Sequence, residues 1–137
     1  MTLKDFLNKN DRYAAQTGAQ LTEVRDGFAR AEMEVKNVHL NAGGVCQGGA
    51  LFTLADLALA AVINSHKKLT LGIENNISFL HSAKEGDHLT AEAVEICNHH
   101  KIPYCNVKIT NQNDELIAVL TGLAYRKNNE MPVEGLM

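Results

Sequence analysis

The chain has 137 residues, 45% of them hydrophobic and 21% charged, and carries a formal net charge of −3. These values fit one globular domain with one core and exclude general disorder. They also exclude an electrostatic footprint for nucleic acid, because the strongest basic run is only His66-Lys67-Lys68.

Residues 1–10 mix charged and apolar types and contain no signal-peptide core. Thr2 is a good N-cap and Asp5 suits a first turn, which predicts a short helix over residues 2–8. Between Ala19 and Lys36 apolar positions alternate on both sides of Asp26-Gly27, the pattern of a β-hairpin. Asn37 to Gly49 is a loop broken by Gly43, Gly44, Gly48 and Gly49. Ala50 to Ile63 is apolar except for Thr53 and Asp56. The run is too long for a strand and shorter than the ~20 residues needed to span a bilayer, so it predicts a helix buried on most sides.

The remainder alternates as strands over 69–80, 88–98, 102–110 and 116–126, and the polar residues 127–137 are expected to form a flexible tail. The predicted order is thus β-β-α-β-β-β-β in a single domain over residues 1–137, an α+β class. One buried helix beside six strands implies a sheet wrapped round it, with dimerisation to cover what stays exposed. Three cysteines, Cys46, Cys97 and Cys105, are an odd number without CxxC spacing. They fit a reducing compartment, and a soluble cytoplasmic protein is expected, bound to no membrane.

Asp56 is the only charge in the predicted helix. A buried unpaired carboxylate costs several kcal/mol, so Asp56 is either a working group or a wetted position sharing a polar stripe with Thr53. Gln47-Gly48-Gly49 opens the same helix. Glycine permits close approach of a ligand, and the free N–H groups of a first turn favour developing negative charge, as an oxyanion hole requires. A tight loop-to-helix turn needs glycines too. Gly48 and Asp56 stand eight residues, or ~12 Å, apart on one helix, too far for one site within one chain. A two-fold dimer can bring the Asp of one copy to the Gly of the other.

The stretch Asn41-Ala42-Gly43-Gly44-Val45-Cys46-Gln47-Gly48-Gly49, followed by an apolar run ending in Leu54-Ala55-Asp56, resembles the signature of PaaI-type hotdog acyl-CoA thioesterases. Asn76-Ile77-Ser78-Phe79-Leu80 and Gly86-Asp87 resemble the strand and turn that follow the family's helix, and the likeness runs from Val38 to Arg126. The resemblance implies a hotdog fold, a long central helix wrapped by a six-stranded antiparallel sheet. It further implies a homodimer or dimer of dimers, a small-molecule acyl-CoA substrate and no separate cofactor. Asp56 would be general base or nucleophile, the Gly48 N–H the oxyanion donor, and Asn41 an orienting group for water or thioester, with Gly49 beside the substrate. Gln47 stands where the family has His, and Gly72 near where it often has Ser or Thr. Gln donates a hydrogen bond but shuttles no proton. Lys84 and Lys101, both in turns, are candidate contacts for CoA phosphates and equally plain surface lysines.

Other chemistries find less support. His39, His66, His81, His88, His99 and His100 lack metal-ligand spacing, so no metal is expected, and His99-His100 reads as a solvated turn. No G-x-S-x-G elbow or phosphate loop occurs. Cys46 at a helix start is a conceivable nucleophile, although a small buried cysteine is the commoner use. The departures at Gln47 and Gly72 keep open a non-catalytic acyl-CoA-binding hotdog module. A hotdog hydratase would need a His near the helix, and none lies between Asn41 and Ser65.

Overall fold

The computed structural model describes residues 1–137. Its elements are α1 (Leu3–Asn10), α2 (Arg12–Thr17), β1 (Gln20–Arg25), β2 (Phe28–Glu34), a 3-10 turn (Asn37–His39), α3 (Gly48–Ile63), β3 (Lys68–Phe79), β4 (His88–Cys97), β5 (Tyr104–Thr110) and β6 (Leu116–Glu130). All strand pairs are antiparallel, in the order β1-β2-β4-β5-β6-β3. Asp26 and Gly27 turn the first hairpin, with Gly27 at φ +74°, where a side chain would be strained. The sheet curls round α3, as the hotdog arrangement requires.

Small side chains on the inner face let the helix come close. Ala29 pairs with Ala93 and Ala31 with Ala91 across β2 and β4, and all four are fully buried. Leu54, Leu57, Ala58, Leu59, Ala61 and Val62 of α3 fill the concavity at 0–1% exposure. Close packing without voids makes each of these positions sensitive to a change in volume.

Three departures from the sequence reading concern the chain's ends and its loop. Residues 12–17, to which the sequence assigns no element, form α2. Asp11 caps it by accepting from the Ala14 N–H at 3.1 Å, and Gly18 ends it at φ +89°. The tail is not flexible, which corrects the expectation for residues 127–137. β6 runs on to Glu130, Met131 is buried, and the N–H groups of Leu3 and Lys4 donate to the carbonyls of Gly135 and Leu136 at 2.7 and 3.0 Å. Polar composition misled because backbone bonds to α1 hold the segment while its few apolar side chains, Met131, Val133 and Leu136, pack against the core. His39, inside the predicted loop, is buried and ties it to α2. Its Nδ1 accepts from the Lys36 N–H at 2.9 Å, which leaves Nε2 to donate to the Thr17 carbonyl at 2.7 Å.

β3 is the open edge of the sheet. It is 12 residues long and exposes Leu71 and Ile73 at 49% and 58%. A long apolar edge with unpaired N–H and C=O groups is a template for a further strand.

Candidate active site

α3 carries two candidate groups to two different clefts. At its start, Gln47 occupies the N-cap position, but its side chain makes no capping bond. Gly48 and Gly49 are the first two helical residues, and their N–H groups have no intrahelical acceptor. Gly48 opens on a cleft of about 350 Å³ bordered by Asn41, Val45, Leu51, Phe79 and His81. A Cβ at Gly48 would stand 2.9 Å from Cζ of Phe79, so a larger residue there would have to push that ring aside.

Asp56 lies two turns further along, on a separate cleft of about 270 Å³. Phe6, Leu7, Leu59, Ile63 and Gly72 are among its mostly apolar walls. The Asp56 side chain is exposed in the single chain, yet these walls strip water from one flank of it. That desolvation raises its pKa above the ordinary aspartate value, and Asp11 pushes the same way. A hydrogen bond from Asn75 opposes both.

Asn75 is the residue the sequence reading missed. Its Nδ2 donates to Asp56 Oδ1 at 3.4 Å, a long bond whose carboxylate acceptor fixes the orientation of the amide. Its Oδ1 is consequently buried without a partner, a cost accepted to turn the donor toward Asp56. Gly122, directly opposite on β6, makes the room: a Cβ there would meet that oxygen at 2.6 Å. Gly72, where the resemblance places a hydroxyl, lines the Asp56 cleft and offers no side chain. The available signal was that Asn75 lies on the inner face, between Gly72 and Ile77, where apolar residues are the rule.

The remaining candidates divide. Asn41 borders the Gly48 cleft, but its Oδ1 is already used, accepting from the N–H groups of Gly43 and Val45 at 2.9 and 3.2 Å. Its Nδ2 donates to no group of the chain. Gln47 turns away from Gly48 into a hollow shared with Tyr13, His39 and Ala50, and its Oε1 lies against Gly49. Lys84 lies in the β3–β4 loop and Lys101 in the β4–β5 loop, at opposite ends of the sheet. Cys46 is buried, and desolvation pushes its thiol up to about 11, which removes it as a nucleophile at neutral pH. No three His, Cys, Asp or Glu side chains converge as a metal site would need.

Residues 43–118 match the thioesterase superfamily. The chain is 32% identical over 118 residues to acyl-coenzyme A thioesterase PaaI of Escherichia coli, with 86% of this chain and 84% of that one covered. It belongs to the PaaI-type hotdog thioesterases. A protein of Archaeoglobus fulgidus, provisionally named an esterase, is 42% identical over 130 residues, covering 95% of this chain and 84% of its own. The solved structure of the E. coli PaaI protein, from the phenylacetic acid degradation operon, superposes with a TM-score of 0.89 at 30% identity, over 93% and 92% of the two chains. A hypothetical thioesterase of Streptococcus pneumoniae, solved with coenzyme A, superposes at 0.77 with 26% identity over 82% and 90%. Membership makes this PaaI-type chain a thioester hydrolase and accounts for the helix inside the curled sheet.

Proposed function

We propose that the enzyme hydrolyses acyl-CoA thioesters at a site completed by a second copy of the chain. One observation carries this reading: Asp56 and the Gly48 N–H serve different clefts of a single chain, ~12 Å apart along α3. Antiparallel pairing of two β3 edges across a two-fold axis would set the Thr70–Gly72 end of one copy beside the Ser78–Leu80 end of the other. The Asp56 cleft of one would then meet the Gly48 cleft of its partner. The exposed Leu71 and Ile73 of that edge support the pairing.

In the joined site, the chemistry follows from charge. Asp56 accepts a proton from water, whose oxygen attacks the thioester carbonyl carbon. The carbonyl oxygen becomes an oxyanion, held by the N–H of the partner subunit's Gly48 at the positive end of α3. Collapse breaks the C–S bond and returns the proton from Asp56 to the departing thiolate. A base with a raised pKa is a better proton acceptor than an ordinary aspartate. Direct attack by Asp56 on the carbonyl, with later hydrolysis of the mixed anhydride, uses the same groups. The two clefts would together take an aryl or a short-to-medium aliphatic acyl group.

Free-thiol release from a panel of aryl- and alkyl-CoA esters tests the proposal. We expect turnover by the wild type and loss in Asp56→Ala. No release from any ester, with the protein still stabilised thermally by CoA, would instead favour the non-catalytic binding module.

A further inference from the structure

The Asp56 cleft continues well past the carboxylate. α3 and β3 run side by side between two ties: Asn75 donates to Asp56 at one end, and Asn64 is bonded to Thr70 at the other. Ile63 stands seven residues, or ~10 Å, beyond Asp56 along α3 and still lines the cleft. The hollow is therefore a groove about that long, with α3 and the start of β3 as two walls and Phe6 and Leu7 of α1 as a third.

Beyond Asp56 the polar side chains of this groove are already engaged. Asn64 Oδ1 accepts from the Thr70 N–H at 2.8 Å, and its Nδ2 donates to the carbonyls of Ala60 and Thr70 at 2.8 and 3.1 Å. The Thr70 hydroxyl donates to the Lys68 carbonyl at 2.8 Å. What is left for a ligand is chiefly apolar contact with Leu7, Leu59, Ile63 and Leu69. The Gly48 cleft presents Asn41, His81 and Ser82 instead. The amide-bearing arm of a CoA thioester suits that polar cleft, and a hydrocarbon chain suits the groove.

Met131 stands at the far end. It lines the groove at 8% exposure, and its N–H donates to the Lys67 carbonyl at 2.8 Å, which places it past the tie between Asn64 and Thr70. The segment that follows it is fastened to α1. The N–H of Glu134 donates to the Met1 carbonyl at 3.1 Å, and the carbonyls of Gly135 and Leu136 accept from Leu3 and Lys4. The end of the groove and its α1 wall are thus held as one unit, and a thioether side chain is well suited to filling such an end.

We propose that Met131 sets the length of the acyl chain this enzyme accepts, the substrates being straight-chain aliphatic thioesters whose terminal methyl comes to rest against it. The inference rests on the proposed hydrolysis of acyl-CoA and deepens it. Each methylene that enters the groove leaves water and should raise kcat/KM roughly fourfold. The rise should stop at the chain length that meets Met131.

The test measures kcat/KM for straight-chain acyl-CoA esters of increasing length and for aryl-CoA esters. It compares the wild type with Met131→Ala and Met131→Phe, and reads the length at which the rise stops, a position that a general loss of activity does not move. That break should lie roughly two carbons further out in Met131→Ala and should move inward in Met131→Phe. The Phe variant keeps the end of the groove filled, so a folding defect in Met131→Ala leaves the test intact. A break that stays in place in Met131→Phe, or moves the same way in both variants, overturns the role of Met131. Turnover of aryl esters alone overturns the aliphatic substrate class and leaves the hydrolase reading standing. If no ester is hydrolysed, the hydrolase reading fails by itself, and calorimetric affinities for the same intact esters show whether the break exists and shifts.

Discussion

The two faces of α3 differ less in composition than in what they meet. Toward the sheet, Leu54, Leu57, Ala58 and Leu59 reach 0–1% exposure against a wall of alanines. On the other side, Phe52, Thr53 and Ala60 are half-buried and Asp56 is exposed. The sheet face provides stability, and on the proposed reading the open face carries Asp56 toward a second copy of the chain. The separation also explains how Asp56 is tolerated: the core does not have to bury it.

That contrast can be broken at several points. The largest effect is expected from Asp56→Ala, which should lower turnover by roughly 10²–10⁴-fold without lowering thermal stability. Its neighbour on the other face, Leu54→Ala, should reverse the pattern, costing about 2–5 kcal/mol in chemical denaturation. Gly122→Ala joins the two faces, because its methyl group would press on Asn75 Oδ1 and on Leu59 Cδ2 at 3.0 Å. We expect a stability loss of about 1–3 kcal/mol together with reduced turnover, read by denaturation and thiol release on the same samples.

Smaller and sharper effects concern pH. Asn75 holds the pKa of Asp56 down against desolvation, so Asn75→Ala should move the acid limb of the turnover profile to higher pH. A shift the other way would remove Asn75 from the site. Because the folded state raises the pKa of Asp56, the folded chain holds that proton more tightly than the unfolded chain. Asp56→Asn should therefore match the wild type in stability below the ordinary aspartate value. It should become the more stable protein as pH rises from that value to the raised pKa of the folded wild type, with no further gain above it.

Much of this architecture was legible in the sequence, and the reasons are local. Asp26-Gly27 marked the first hairpin, and the run after Gly49 marked α3, because turn chemistry and apolar length act over a few residues. Asp56 and Gly48 stood out as a lone charge and a breaker in that run. What stayed hidden depends on contacts distant in sequence. Asn75 reaches Asp56 from the far edge of the sheet through space that Gly122 leaves. Residues 133–136 are ordered by backbone bonds to α1, and His39 is buried by bonding α2.

The shared site is tested most directly by mixing two inactive proteins. Asp56→Ala and Gly48→Val, whose side chain would displace the Phe79 ring and crowd the Gly48 cleft, should each be nearly inactive alone. Co-expressed with different tags, statistical mixing makes half the dimers mixed, and each mixed dimer has one intact site of two. Thiol release should return to about a quarter of the wild-type rate. Activity that stays at the level of the separate variants, in dimers shown to be mixed, would contradict a site built from two chains.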